Sequence, residues 1–218
     1  MDRVLHSGTD WLDRLIVRLS EESLPGEEAQ YKMSPSLRRR GNISEIEQQN
    51  PCRGGVMLLL YPDSGHWYFP LIRRPDYPGV HGGQMSFPGG KLEDGENALE
   101  AALRETEEEV GVDRHTIQVL GPLSRLYIPP SNFLVSPFVG LLEEKPIFIP
   151  EPLEVEEIIH ARTDHLLESE RRKTTSIPTS SGLKITAPYF DLEGHVVWGA
   201  TAMMLSEFAS LLEEVLLP

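Results

Sequence analysis

A turn of helix crowded with glutamate constrains this chain more than any other feature. The segment is GKLEDGENALEAALRETEEEVGV (90–112), and at about 100° per residue a helix would place Glu105, Glu108 and Glu109 within an arc of about 100°. Like charges four residues apart repel by about 0.2–0.5 kcal/mol, and acids near a helix C-terminus oppose the helix dipole. A helix shaped only for stability would avoid this arrangement, whereas Mg²⁺ favours oxygen ligands. The segment therefore predicts a helix that holds a divalent cation.

The remaining positions of this helix predict how it packs. Its apolar residues form a narrow stripe expected to face a sheet: Leu99, Leu103, Thr106 and Val110. Ala98 and Ala101 lie before the cluster on the acidic side, where small side chains would leave room for a ligand. Glu100 and Glu107 point elsewhere and are expected to be solvated charges. The alternative interpretation is that the whole acidic run is a solvated helix surface.

The spacing of glycine, glutamate and arginine resembles the Nudix box. The matching residues are Gly90, Glu96, Arg104, Glu105, Glu108, Glu109 and Gly111. Thr106 departs from the pattern, since the family usually has a bulky aliphatic residue there. The resemblance implies an α/β (α+β) protein, built as an α/β/α sandwich with a mixed β-sheet and a loop–helix–loop metal site. It also implies a hydrolase that cleaves the diphosphate of a nucleoside diphosphate linked to another group.

The resemblance assigns roles to individual residues. One to three Mg²⁺ or Mn²⁺ ions are expected on Glu105, Glu108, Glu109 and the Gly89 carbonyl, with Arg104 and Glu96 orienting these ligands. Glu105 is the first candidate for the carboxylate that positions or deprotonates the attacking water. Glu154, outside the box, is a second candidate for an additional ligand or general base.

The loop before the box is similar to a subfamily, the coenzyme A diphosphatases. Residues 81–90 read HGGQMSFPGG and match its HxGQxxFPGG segment, while Leu71 and Arg74 fit its leader and residues 198–202 (WGATA) fit a later segment. Pro75 and Gly79 depart from the leader. The implied substrate is coenzyme A or acyl-CoA, cleaved to 4′-phosphopantetheine and adenosine 3′,5′-bisphosphate, with Arg74 and Gln84 contacting it. The alternatives are an ADP-ribose or ADP-sugar diphosphatase and a non-catalytic module that senses a nucleotide.

A basic run, Arg38–Arg40, has two interpretations. It is either a solvated loop or a source of cations for a substrate phosphate, since arginine matches phosphate geometry. Under the second interpretation Arg39 and Arg40 belong to the substrate site.

Charge and composition limit the partners. The net charge is −14, with 34 acidic against 20 basic residues, which argues against a nucleic-acid surface and against binding to anionic membranes. A small-molecule nucleotide is the expected partner, and a homodimer is considered because Nudix proteins are frequently dimeric. The single cysteine, Cys52, excludes an internal disulfide, and no apolar stretch approaches the roughly 20 residues of a membrane span. Residues 11–20 are amphipathic, unlike a secretory signal, so a cytoplasmic enzyme is expected.

Hydrophobic periodicity predicts the order of elements. Residues 1–50 are expected to form an N-terminal helix (10–22) with an irregular extension, and residues 51–218 the Nudix hydrolase domain. Strands are expected at 55–61, 66–73, 117–128, 132–142 and 185–192. Residues 152–169 are expected to be partly helical, 171–182 an exposed loop, and the segment from Thr201 a final amphipathic helix.

Overall fold

The computed structural model describes residues 10–36, 38, 43–76, 82–178 and 184–216. Its helices are α1 (Asp10–Leu19), α2 (Gly26–Gln30), α3 (Ile43–Glu47), α4 (Ala98–Val110) and α5 (Gly199–Leu216). Its strands are β1 (Cys52–Asp63), β2 (His66–Arg73), β3 (Met85–Ser86), β4 (Gly89–Lys91), β5 (Gln118–Pro122), β6 (Leu126–Ile128), β7 (Phe133–Leu141), β8 (Glu157–Arg162), β9 (Arg172–Pro178), β10 (Lys184–Leu192) and β11 (His195–Trp198). In these ranges no helix is both long and apolar enough to cross a bilayer.

The main sheet is built around β1, whose long apolar run is buried. It turns into β2 through Ser64 and Gly65, which have φ of 48° and 81°, the left-handed conformation of tight hairpin turns. The sheet order is β3-β2-β1-β7-β5, while β4 pairs with β1, β6 with β7 and β8 with β2. Because β1 runs parallel to β7 and antiparallel to β2, the sheet is mixed. A second sheet has the order β11-β10-β9.

Helices cover both faces of the main sheet. Alternate residues of β1 point to opposite sides, as strand geometry requires. Met57 and Leu59 pack with Ala102 of α4 on one side, and Leu58 and Leu60 lie in the core shared with α1 and α5 on the other. The predicted α/β/α sandwich is therefore confirmed.

The elements before β1 contribute to the larger of these cores. Helix α1 buries Leu15 and Leu19, and Trp11 meets Trp67 edge to face with ring centroids 5.6 Å apart. Further along, Gln30 donates to the fully buried Glu207 of α5 over 2.8 Å. The division between residues 50 and 51 stays a prediction, and the N-terminal part packs on the same core as the rest.

Four expectations about secondary structure were wrong or incomplete. Residues 152–169 are partly helical as expected, in the 3₁₀ segment Thr163–Leu167, but the strand β8 before it was not expected. This strand forms because Ile159 and Ala161 alternate inward and the backbone pairs with β2. Residues 172–178 form β9, which pairs with β10 and is therefore part of a sheet. The single strand expected over 117–128 is divided into β5 and β6, and the region predicted to be irregular before β1 contains α2 and α3.

Candidate active site

Local capping sets the limits of α4. The Asn97 side chain accepts hydrogen bonds from the backbone N–H groups of Leu99 (2.9 Å) and Glu100 (3.1 Å). The Glu100 carboxylate accepts one in turn from the Asn97 N–H, which completes a capping box. Gly111 ends the helix at φ 72°, in the left-handed conformation that glycine adopts easily. These caps place the carboxylates on the last two turns.

The buried side of α4 differs from the predicted stripe. Thr106 and Val110 are buried as expected, but Leu99 and Leu103 are only partly buried. Ala101 is fully buried, so the expectation that it leaves room for a ligand was wrong, whereas Ala98 is only partly buried. A Cβ on Gly55 would lie 1.8 Å from the Ala98 carbonyl oxygen. The absence of a side chain at Gly55 therefore allows α4 to lie directly against the backbone of β1.

Three carboxylates converge beside this helix. One oxygen from each of Glu105, Glu109 and Glu154 lies within 4.8 Å of the others. Glu109 is 1% exposed. Its Oε2 accepts from the Gly89 N–H over 2.8 Å. Its Oε1 has no hydrogen-bond partner among the described residues, and the nearest cation, Nη2 of Arg74, is 3.6 Å away. A buried carboxylate oxygen without a partner, beside two further carboxylates, fits a divalent cation.

Burial makes the ionised forms of Glu109 and Glu105 unfavourable without a cation. It raises the pKa of the Glu109 carboxyl to about 7, although Arg74 and the Gly89 N–H both oppose the rise. Burial also raises the pKa of Glu105, against the attraction of Arg104. Since both shifts favour the neutral acids, a metal ion would recover the ionised forms.

Arg104 organises the acids at the edge of this group. Its Nε and Nη2 donate to the two oxygens of Glu96 over 2.9 and 3.0 Å, and its Nη1 donates to Glu105 over 2.8 Å and to Glu108 over 2.9 Å. These bonds raise the pKa of Arg104 and lower that of Glu96. Glu108 is 55% exposed and lies with Arg104, outside the group of three carboxylates. Its role as a metal ligand stays a prediction.

The glycine loop before α4 leaves room for the carboxylates. A Cβ on Gly90 would lie 2.2 Å from Oε1 of Glu105, so a side chain at this position would displace that carboxylate. The Gly89 carbonyl, expected to face the metal, accepts from Nη2 of Arg74 over 3.1 Å.

Backbone hydrogen bonds deliver Glu154 to the site. Ile149 N donates to Val110 O over 2.9 Å and Glu151 N donates to Glu109 O over 3.0 Å, so this segment caps the end of α4. Glu154 N then donates to Glu151 O over 3.1 Å. Sequence reasoning found Glu154 but missed the strap formed by residues 149–151, because backbone bonds between distant segments leave no signal in side-chain pattern.

The predicted substrate residues are only partly placed by the structure. Arg74 reaches the carboxylate group, and its backbone N–H donates to the Gln84 carbonyl over 3.2 Å. Arg38 donates to the Tyr127 carbonyl and lies over the Tyr31 ring, 5.9 Å from its centroid. Arg39 and Arg40 lie outside the described residues, as do His81 and Gly79.

Comparison with known proteins identifies relatives of this chain. The family model of the NUDIX domain matches residues 52–173. Nudix hydrolase 15, mitochondrial, of Arabidopsis thaliana is 30% identical over 207 residues, which are 89% of this chain and 72% of the relative. Mitochondrial coenzyme A diphosphatase NUDT8 of Homo sapiens is 32% identical over 157 residues, which are 71% of this chain and 62% of the relative. The solved Nudix hydrolase RenU from M. smegmatis has a TM-score of 0.54 at 15% identity, covers 75% of this chain and 87% of its own, and shares the fold.

These relatives contradict the cytoplasmic location expected from the sequence. Two of them carry the word mitochondrial in their names. The expectation depended on residues 11–20 differing from a secretory signal, and that comparison bears only on secretion. Mitochondrial transit peptides are amphipathic and rich in arginine, so the reasoning did not exclude that location.

Proposed function

Because this chain belongs to the Nudix hydrolase family, whose members act on pyrophosphate bonds, we propose that it cleaves coenzyme A or an acyl derivative of it, with Mg²⁺ or Mn²⁺ as cofactor. The products would be 4′-phosphopantetheine, or its acylated form, and adenosine 3′,5′-bisphosphate. The observation that carries the diphosphatase chemistry is the convergence of Glu105, Glu109 and Glu154 within 4.8 Å. The choice of coenzyme A is supported by the HGGQMSFPGG loop and by the name of the NUDT8 relative.

The carboxylates divide the work of the reaction. Glu105, Glu109 and the Gly89 carbonyl would hold a divalent cation, with Glu154 beside it. Such a cation would neutralise the diphosphate and lower the pKa of a bound water. Glu109 is held by the Gly89 N–H and is shielded from solvent, so it serves as a fixed ligand. Glu105 is fixed by Arg104.

Glu154 is the proposed acceptor of the water's proton. It is the exposed member of the group, and it has no hydrogen bond to Arg104, unlike Glu105. A general base must be free to take the proton and within reach of the attacking water. This reverses the order expected from the sequence, in which Glu105 came first.

The substrate is tested with a panel of coenzyme A, acetyl-CoA, NADH, ADP-ribose and diadenosine polyphosphates, each with Mg²⁺ and with Mn²⁺. We expect the highest kcat/KM on coenzyme A or acetyl-CoA, with both products identified by mass. Faster cleavage of ADP-ribose would make the protein an ADP-sugar diphosphatase. Tight nucleotide binding without turnover in either metal would indicate the sensing module.

The proposed base is tested with a matched pair of variants. Glu154→Gln should lower kcat by about 10²–10⁴-fold, the usual contribution of a general base. Glu151→Gln, on the same turn, should keep wild-type turnover.

Glu108→Gln tests the third acid of the box: a loss of orders of magnitude in kcat would place Glu108 among the metal ligands, and an unchanged kcat would leave it as a partner of Arg104.

The remaining residues expected at the site are proposed to contact the substrate. Arg74, Gln84, Arg39 and Arg40 are the proposed groups for the phosphates of the nucleotide. A homodimer stays a prediction from the family resemblance, and light scattering after size-exclusion chromatography measures it directly.

A further inference from the structure

Arg74 lies beside two oxygens that are proposed to bind the metal. Its Nη2 donates to the Gly89 carbonyl over 3.1 Å and lies 3.6 Å from Oε1 of Glu109. Both oxygens are among the proposed metal ligands. Arg74 and a metal ion would therefore compete for the same two oxygens.

The contact is well placed but weakly bonded. At 3.6 Å the approach to Glu109 is an ion pair without a hydrogen bond, and Oε1 has no other partner among the described residues. The backbone of Arg74 is tied to the loop through its N–H bond to Gln84, so the change open to it is a movement of the side chain. That side chain is 27% exposed, which leaves it a path toward solvent.

The neighbouring arginine, Arg73, makes different contacts from Arg74. Arg73 points to surface acids, with Nη1 2.6 Å from Glu156 and Nη2 3.5 Å from Asp76. Arg73 is the last residue of β2 and Arg74 follows it, and the two side chains take different directions. Only Arg74 reaches the buried carboxylate among these two.

We propose that Arg74 is a displaceable counter-ion: its guanidinium neutralises Glu109 in the metal-free protein, leaves both oxygens when a divalent cation binds, and is then free to contact the diphosphate of the substrate. A doubly charged ion attracts Glu109 more strongly than a guanidinium at 3.6 Å, and this difference in Coulomb attraction drives the proposed exchange. The released guanidinium carries donors whose geometry matches phosphate oxygens. The last step depends on the proposed function, whereas the exchange at Glu109 needs no substrate.

The exchange is tested by Mn²⁺ binding to the metal-free full-length protein without substrate. Wild type, Arg74→Gln and the control Arg73→Gln are titrated at pH 8.5, with free Mn²⁺ followed by electron paramagnetic resonance and heat by calorimetry. Removing a competing cation should tighten Mn²⁺ binding to Arg74→Gln by about tenfold. Arg73→Gln should stay within about threefold of wild type, because the Arg73 guanidinium pairs with Glu156 and Asp76 and not with Glu109. Equal or weaker binding by Arg74→Gln, or no saturable binding by any of the three, would overturn the proposal.

A measurement on the wild type covers the case in which Arg74→Gln fails to fold. Saturation with Mg²⁺ should shift the Nε–H resonance of Arg74 in a nitrogen-15 spectrum and leave that of Arg73 in place. An unchanged Arg74 resonance at saturation would refute the exchange.

The substrate step has its own measurement. KM for coenzyme A, or for the best substrate of the panel, should rise more in Arg74→Gln than kcat falls. An unchanged KM would refute the contact with the diphosphate and leave the exchange intact. Since the Mn²⁺ titration contains no substrate, a wrong choice of coenzyme A and a wrong role for Arg74 give different results.

Discussion

Replacing Glu109 by glutamine should stabilise the metal-free protein at alkaline pH while removing its response to Mg²⁺. The carboxyl is 1% exposed, and burial raises its pKa from 4.5 to about 7. Glutamine has nearly the same shape and keeps an oxygen to accept from the Gly89 N–H, but it carries no charge. The substitution therefore removes the cost of an ionised group in this site and leaves the packing unchanged.

The size of the effect follows from the raised pKa. At about 1.36 kcal/mol for each pH unit, a rise from 4.5 to about 7 corresponds to up to about 3 kcal/mol. Between these two pH values the unfolded chain releases its proton first, so the native protein binds more protons and its free energy of unfolding falls as pH rises. The stability is fully present below pH 4.5 and lost above about pH 7.

Urea unfolding in EDTA measures this difference. Wild type and Glu109→Gln are compared at several values from pH 5 to pH 8.5, and comparison at each pH cancels the titration of groups such as His160, whose pKa burial lowers. The variant should be close to wild type at pH 5 and more stable by up to about 3 kcal/mol at pH 8.5. Added Mg²⁺ should stabilise the wild type alone. A variant that is equally or less stable at pH 8.5 would show that burial does not penalise this charge.

Three further substitutions test other parts of the structure. Arg104→Lys loses the two hydrogen bonds to Glu96 and the one to Glu105, so kcat should fall by about 10²-fold. The circular dichroism spectrum should be unchanged, and wild-type turnover would contradict this prediction. Gly90→Ala places a methyl 2.2 Å from Oε1 of Glu105, so Mn²⁺ affinity in calorimetry and kcat should both fall, and wild-type affinity would show that the carboxylate moves freely. Glu207→Ala removes a fully buried acceptor of several N–H groups and should lower the free energy of unfolding by about 3 kcal/mol in urea, whereas an unchanged value would mean that water replaces it.

Short-range rules made much of the site predictable. The caps of α4 depend on Asn97 and Gly111, which act within a few residues, and the hairpin between β1 and β2 depends on the turn at Ser64 and Gly65. Elements of this kind can be derived without knowing the fold. The family resemblance added the layered architecture, which periodicity alone supports only in outline.

Strands whose partners lie far away in the chain were harder to predict. The segment with β8 has the acidic composition of an exposed helix, and it becomes a strand because β2 supplies its hydrogen bonds. The polar segment of β9 is ordered in the same way by β10. Composition cannot supply this information, because the stabilising partner is a different segment of backbone.

The amino-acid sequence by itself determined that a capped helix would present several carboxylates after a glycine-rich loop, since helix period and end chemistry are local. Only the tertiary structure decided which of them meet. The strap of residues 149–151 bonds to the end of α4 and brings Glu154 to Glu105 and Glu109. Burial against the sheet and the reach of Arg74 then set the charge of Glu109. These properties depend on distances between segments remote in sequence, and such distances exist only once the chain has folded.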